Sequence, residues 1–485
     1  MRVLHVGAEI APLLATEGLA EVLGRLPGAL VRAGADARVL LPGFPALRAA
    51  LTEVRDIGGL QPPWGGAPAM LLCGRFEALA LRAVPIYLLQ QEALYGRPGN
   101  PCGDVPDADQ HRRFALLGLA ATRLAEGLDP DWLPQLVHGH DWHAGLAPAY
   151  MAFSRAAGAS RAASVFTVHD LACQGLFPAA VFGELGLPAA AYTLQGVEFH
   201  GQVSFMKAAL HYADRITTVS PGYAREIQGR ELGCGFEGLL SQRAAVLSGI
   251  LNGIDETVWD PAIDTALGRA FSVARQAGKA TCRAVLKREC GLDVHNNAPL
   301  FAVVSRLTEP QGLHLVAEVL PTIVERGAQL VVLGSGDAAL EDAFARAAQA
   351  HPRQVALRQG YDEALAHRIF AGSDVTLVPS RFEPCGLTQL VALKYGSLPL
   401  VRRTGGLGDT VVDCTIEDLA DERATGFVFE RFDAADLTRA VRRAHALWVQ
   451  SRVWRAVRIR AMAQRFGWDT TAASYLALYR QVLNA

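Results

Sequence analysis

Val375-Thr376-Leu377-Val378-Pro379-Ser380-Arg381-Phe382-Glu383-Pro384-Cys385-Gly386-Leu387-Thr388-Gln389-Leu390 is the stretch that decides the fold. Its first four residues form an apolar run of strand length. Two prolines and a glycine supply turn chemistry, and a helical pattern follows to about Lys394. Strand, tight turn, then helix aims the unpaired N–H groups and positive dipole end of a helix into a crevice. A phosphate suits the amides of Gly386, Leu387 and Thr388, with the Thr388 hydroxyl as a further donor. Glu383 is placed to accept hydroxyl hydrogens from a sugar. A plain helix cap with an acidic residue just before it explains the same residues about as well.

The same unit recurs outward from this stretch. Apolar runs of strand length stand at Val3–Val6, Ala37–Leu41, Ile86–Leu89, Leu136–His138, Val165–Val168 and Ile216–Val219. The second half adds Leu300–Val304, Leu330–Leu333, Val355–Leu357, Val375–Val378, Leu398–Val401 and Phe427–Phe429. Continuous rather than alternating apolarity predicts strands buried on both faces, hence parallel sheets covered by helices. The expected class is α/β, with two doubly wound Rossmann-like domains, and 485 residues suit two cores. The turn-rich Leu251-Asn252-Gly253-Ile254-Asp255 sets the boundary, giving domains 1–252 and 253–485. The last helix, about 470–483, gathers Tyr475, Leu476, Leu478, Tyr479 and Val482 on one apolar face that can pack back on the first domain.

With 46 basic and 48 acidic residues, the net charge of −2 offers no basic field for nucleic acid or an anionic membrane. An anionic substrate must be held by local charges. No run approaches the ~18 uninterrupted apolar residues of a membrane span, and Met1-Arg2-Val3-Leu4-His5-Val6 reads as a strand rather than a leader. Eight cysteines without a CxxC pair read as reduced thiols, so the expected location is the cytoplasm. There is no GxGxxG after the first strand and no GxxxxGK[ST], which removes the dinucleotide and P-loop readings.

Ligands in such sheets bind at strand carboxyl ends, and here those ends carry unusual residues. Arg306 closes a buried strand and offers a planar fork matched to a diphosphate; a structural salt bridge is the competing role. His138-Gly139-His140-Asp141-Trp142-His143 and His169-Asp170 form a polar cluster. Sugar binding and core hydrogen bonding both outweigh a metal there, since structural zinc favours closed sites that include thiolates. Gly18, in Ala15-Thr16-Glu17-Gly18-Leu19, permits close backbone approach to a ligand or simply opens a helix. Gly334-Ser335-Gly336-Asp337 is best read as a tight turn. Tyr361, after another strand, can stack on a base, although packing is the commoner role of a lone aromatic.

Taken in order, these motifs resemble the bacterial glycogen synthases and plant starch synthases along essentially the whole chain. The resemblance rests on Val137-His138-Gly139-His140-Asp141-Trp142-His143-Ala144-Gly145, Phe166-Thr167-Val168-His169, Leu251–Asp255, Ser380–Leu390 and Arg402-Arg403-Thr404-Gly405-Gly406-Leu407. It implies a glycosyltransferase B fold, with two Rossmann-like domains facing a central cleft. It also implies retaining transfer of glucose from ADP-glucose, or another nucleotide sugar, to the 4-hydroxyl of an α-1,4-glucan end, without metal or cofactor. By position, Glu383, His169 and Asn252 would bind the donor glucose. Arg306, the amides following Cys385 and Thr388 would hold the diphosphate. Gly18 belongs to the donor-side signature, Tyr361 would lie near the adenine, and Asp141 near the reacting centre. Three positions depart from the pattern. Ala15 and Gln311 stand where the family has lysines, and Glu17 where it has a glycine. These departures carry a second reading, a catalytically impaired relative that binds glucan or regulates a partner.

Overall fold

The computed structural model describes residues 1–15, 18–97, 109–158 and 162–484. The chain divides into two compact units, Met1–Asn252 with Trp468–Ala485, and Gly253–Gly467.

The first unit contains β1 (Arg2–Val6), β2 (Asp36–Pro42), β3 (Leu51–Leu60), β4 (Ala69–Phe76), β5 (Ile86–Gln90), β6 (Leu136–His140) and β7 (Ala163–Val168). It continues with β8 (Leu176–Pro178), β9 (Glu198–Phe199), β10 (Gln202–Ser204), β11 (Arg215–Thr218) and β12 (Leu247–Gly249). Nine of these form one sheet in the order β12-β11-β7-β6-β1-β2-β5-β4-β3. The expectation of a purely parallel sheet is corrected at one edge, where β4 pairs antiparallel with β5 and β3 antiparallel with β4. The run of exposed residues in the middle of β3 shows why continuous apolarity did not find that hairpin. A separate three-stranded antiparallel sheet, β8-β10-β9, was likewise too short and polar to be read.

The second unit holds β13 (Leu300–Val304), β14 (Gln329–Gly334), β15 (Val355–Gln359), β16 (Val375–Val378), β17 (Leu398–Arg402) and β18 (Phe427–Phe429). All its pairings are parallel, in the order β15-β14-β13-β16-β17-β18. Two apolar layers flank this sheet. One gathers Phe301, Val303, Leu330, Val332 and Leu400 with Leu320, Val441 and Trp454, and the other gathers Ala302, Val331 and Leu333 with Leu286, Ile369 and Tyr395. These are the two faces that continuous apolar strands require.

The last helix, Trp468–Leu483, belongs to the first unit. Trp468, Ala472, Tyr475, Leu476 and Tyr479 pack with Val3, Val22, Leu26, Leu136 and Val165, and Arg32 bridges to Asp469 at 2.8 Å. Among the described residues no helix is long and apolar enough to cross a membrane.

Candidate active site

Each large sheet has a point among its parallel strands where the chain turns back to the other side, and unusual residues collect there. In the second unit the chain runs outward from β13 to β15 on one side and from β16 to β18 on the other. The loops after β13 and β16 therefore leave a crevice between them. They are tied together because the Arg381 N–H donates to the Pro310 carbonyl at 2.8 Å and the Arg381 guanidinium pairs with Glu309.

That tie brings Gln311 into the crevice. Its Oε1 lies 3.3 Å from Ser305 Oγ and 3.4 Å from Ser380 Oγ, while Ser380 Oγ lies 3.2 Å from Glu383 Oε2. Burial pushes the Glu383 carboxyl up to about 7, against the Ser380 hydrogen bond and the Arg306 charge, which hold it down. A neutral carboxyl is compatible with its hydrogen bonds. The Ser380 hydroxyl has one hydrogen and cannot serve two acceptors. With Glu383 protonated, Glu383 can donate to Ser380 while Ser380 donates to Gln311. Arg306 is exposed and makes no ion pair among the described residues, so the salt-bridge role has no partner here.

After Glu383 the chain turns at Gly386, whose φ of +71° places it in the left-handed region that glycine adopts without strain. The helix Thr388–Tyr395 begins two residues later, and its first N–H groups have no partner inside it. Gln389 braces the turn, donating from Nε2 to the carbonyls of Cys385 at 3.0 Å and Gly386 at 2.9 Å. Gly405 and Gly406 lie against the same turn. A Cβ on either would fall 2.1 Å from the Glu383 carbonyl oxygen or 2.0 Å from that of Cys385. Sequence reading noted these glycines as a motif but could not assign them this packing. Tyr361 stands at the end of β15 with 73% of its surface exposed. The Gly334 and Gly336 turn is held by packing, since a Cβ there would meet the carbonyl oxygens of Ser305 and Leu307.

In the first unit the order reverses between β1 and β6. His5 of β1 stands beside His138 of β6 in register, and His140 beside Thr167 of β7. His138 is engaged at both nitrogens, by Tyr479 OH at 2.7 Å and Thr167 Oγ1 at 2.6 Å. His140 is also engaged at both, with Nε2 3.0 Å from His5 Nδ1 and Nδ1 3.1 Å from His169 Nε2. His5, His138 and His140 are close enough together to invite a metal. Their nitrogens instead form a hydrogen-bonded network, and His138 would have to give up a hydroxyl to become a ligand. Burial holds His5 and His169 down at about 3, and His138 and His140 well below the usual range. All four are neutral at neutral pH.

Asp141 follows β6 with φ +52° and ψ 177°, a backbone state few non-glycine residues adopt. There its Oδ1 accepts the His169 N–H at 2.8 Å. Asn252, after β12, has a buried Oδ1 with no partner among the described residues. Ser220 is spent as a helix cap, accepting from the Tyr223 N–H at 3.0 Å. Gly18 opens the helix Gly18–Arg32 with nothing within 4 Å of a Cβ placed there. Ala15 is exposed, and Glu17 lies outside the described residues. Two further arginines have partners of their own. Arg25 pairs with Glu21 at 3.6 Å, and Arg402 donates to the Arg381 carbonyl.

A family model described as starch synthase catalytic domain matches residues 2–242, and one described as glycosyl transferases group 1 matches residues 292–455. The glycogen synthase of Variovorax paradoxus is 56% identical, covering 100% of this chain and 99% of that protein. The chain belongs to the glycogen synthase family. Other glycogen synthases agree. That of Leptothrix cholodnii is 54% identical over 99% of this chain and 100% of its own, and that of Edwardsiella ictaluri is 54% identical over 100% of both. Glycogen synthase architecture also matches the catalytic domain of starch synthase IV from Arabidopsis thaliana, solved bound to ADP and acarbose. That match has a TM-score of 0.85 and 29% identity, covering 100% of this chain and 99% of the other. Sucrose-phosphate synthase from Thermosynechococcus elongatus, at TM-score 0.57 and 16% identity, shares the glycosyltransferase B fold alone. The family reading from the ordered motifs and the two-domain α/β class are thus established.

Proposed function

We propose that this glycogen synthase transfers glucose from ADP-glucose to the non-reducing end of an α-1,4-glucan with retention, and that it works in the cytoplasm. The observation that carries the reading is the convergence at the β13/β16 reversal. Arg306, without an ion pair among the described residues, Glu383 and the N-terminus of the helix Thr388–Tyr395 meet there. Charge develops on the departing diphosphate as the glycosidic bond to the donor breaks. Fixed donors stabilise that charge best when they need no rearrangement. Arg306 supplies the full positive charge, and Gly386, Leu387 and Thr388 supply amides and a hydroxyl at a helix N-terminus.

Glu383, His169 and Asn252 hold hydroxyls of the donor glucose, and the partnerless Asn252 Oδ1 supports that role. Asp141 acts near the reacting centre and fixes the His169 backbone through its Oδ1. Tyr361 covers the adenine. The solved relative bound to ADP and acarbose supports a nucleotide sugar and an α-glucan as the two ligands. Nothing in the comparisons supports the impaired, glucan-binding alternative.

The test is incorporation of labelled glucose from ADP-glucose into glycogen by the purified protein, with Glu383→Ala as the blank. Incorporation above that blank is the expected result, and none from a folded, glucan-binding protein would overturn the reading.

A further inference from the structure

His5, His140 and His169 form a chain of three neutral imidazoles joined by two N···N hydrogen bonds, of 3.0 and 3.1 Å. A neutral imidazole carries one ring proton, so both bonds can form only if all three donate in the same direction. In the inward direction, His169 Nε2–H donates to His140 and His140 Nε2–H to His5. The proton of His5 is then left on Nε2. In the outward direction, His5 Nδ1–H donates to His140 and His140 Nδ1–H to His169. The last proton then sits on His169 Nδ1, the outer end of the chain.

The inner end decides between them. His5 is fully buried, and its Nε2 has no partner among the described residues. The inward direction leaves a buried N–H unsatisfied there, whereas the outward direction leaves only a lone pair. Orphaned buried N–H groups are the rarer of the two in folded proteins. The remaining contacts hold the rings in place without competing for these protons. His138 faces Tyr479 and Thr167, the Asp141 carboxylate takes the His169 main-chain N–H, and His169 Nδ1 has no partner among the described residues.

We propose that His5 and His140 are positioning residues that fix the proton of His169 on Nδ1, so that this side chain presents an N–H donor to a hydroxyl oxygen of the donor sugar. The proposal rests on the reading of His169 as a donor-sugar ligand. A carboxylate at that position could only accept, and an amide could accept as well as donate. A histidine locked in one tautomer discriminates, and it keeps its donor without carrying charge into the site.

The experiment is ¹⁵N spectroscopy of the ligand-free protein labelled at histidine, with His169 identified by the signals lost in His169→Gln. The expected spectrum has the protonated nitrogen of His169 at Nδ1 and the bare one at Nε2. Two variants then separate positioning from packing. His140→Phe fills the space without a donor, and His140→Asn restores an amide N–H near the place of Nδ1. His140→Phe is expected to lose the fixed tautomer and about tenfold in kcat/KM for ADP-glucose. His140→Asn is expected to recover most of both. A proton found on His169 Nε2 in the unsubstituted protein overturns the proposal, and so does an Asn variant no better than the Phe variant. If the Nδ1 tautomer is present but the unsubstituted protein incorporates no glucose, the tautomer assignment stands and the functional reading fails.

Discussion

The two strand-order reversals handle polar groups in opposite ways. At β13/β16 the polar groups are part-exposed and joined by long contacts of 3.2 to 3.4 Å through two serine hydroxyls. Gln311 is neutral there, and burial raises the Glu383 carboxyl to about 7. At β1/β6 the polar groups are buried imidazoles and hydroxyls at 2.6 to 3.1 Å, with both ring nitrogens of His138 and His140 committed. A half-open site can re-pair its polar groups through water and flexible hydroxyls. A dry network cannot, so each orphaned group keeps its full desolvation penalty.

The largest expected effect tests the open end. Glu383→Ala should lower glucose transfer at least about a thousandfold with the fold intact by circular dichroism. Transfer equal to that of the unsubstituted protein would remove Glu383 from the site. Next comes restoration of the family pattern. Ala15→Lys with Glu17→Gly and Gln311→Lys should raise turnover about ten- to a hundredfold, because preorganised cations oppose the diphosphate charge. No gain would mean that other residues already supply that charge.

The closed end gives the third test. Tyr479→Phe leaves His138 Nδ1 without its 2.7 Å partner and should cost about 1–2 kcal/mol in urea denaturation. An unchanged midpoint would mean that the last helix is held by its apolar face alone.

A smaller effect follows from the Glu383 carboxyl, which sits at about 7 in place of 4.5. The folded state keeps a proton that the unfolded chain has released, so this group's contribution to stability falls as pH rises from about 4.5 to about 7. Glu383→Gln should therefore raise the melting temperature relative to the unsubstituted protein at pH 8 and not at pH 4. A gain of equal size at both would disprove the protonated carboxyl. The smallest effect belongs to Tyr361→Ala, which should raise KM for ADP-glucose a few-fold, about threefold, and leave kcat unchanged. A fall in kcat instead would place Tyr361 nearer the reacting atoms.

Much of this was legible in residue order. The twelve apolar runs all became strands, because a strand buried on both faces must be apolar throughout, and Arg306, Glu383 and Asp141 stood out as charged residues at the ends of such runs. The β3–β4 hairpin escaped because its exposed residues break that signal. His5 escaped because one histidine in an apolar strand looks like core, and nothing in the sequence says that β1 will lie beside β6.

By itself, then, the sequence determined the α/β class, the family and the residue types at the strand ends, because these depend on local pattern and motif order. Only the tertiary structure decided that Gln311 reaches Glu383 through Ser380, that Gly405 and Gly406 brace the Cys385 turn, and that His5 on β1, His140 on β6 and His169 just after β7 share one line of protons. Those facts depend on strand order and register, which are set by packing between segments up to hundreds of residues apart.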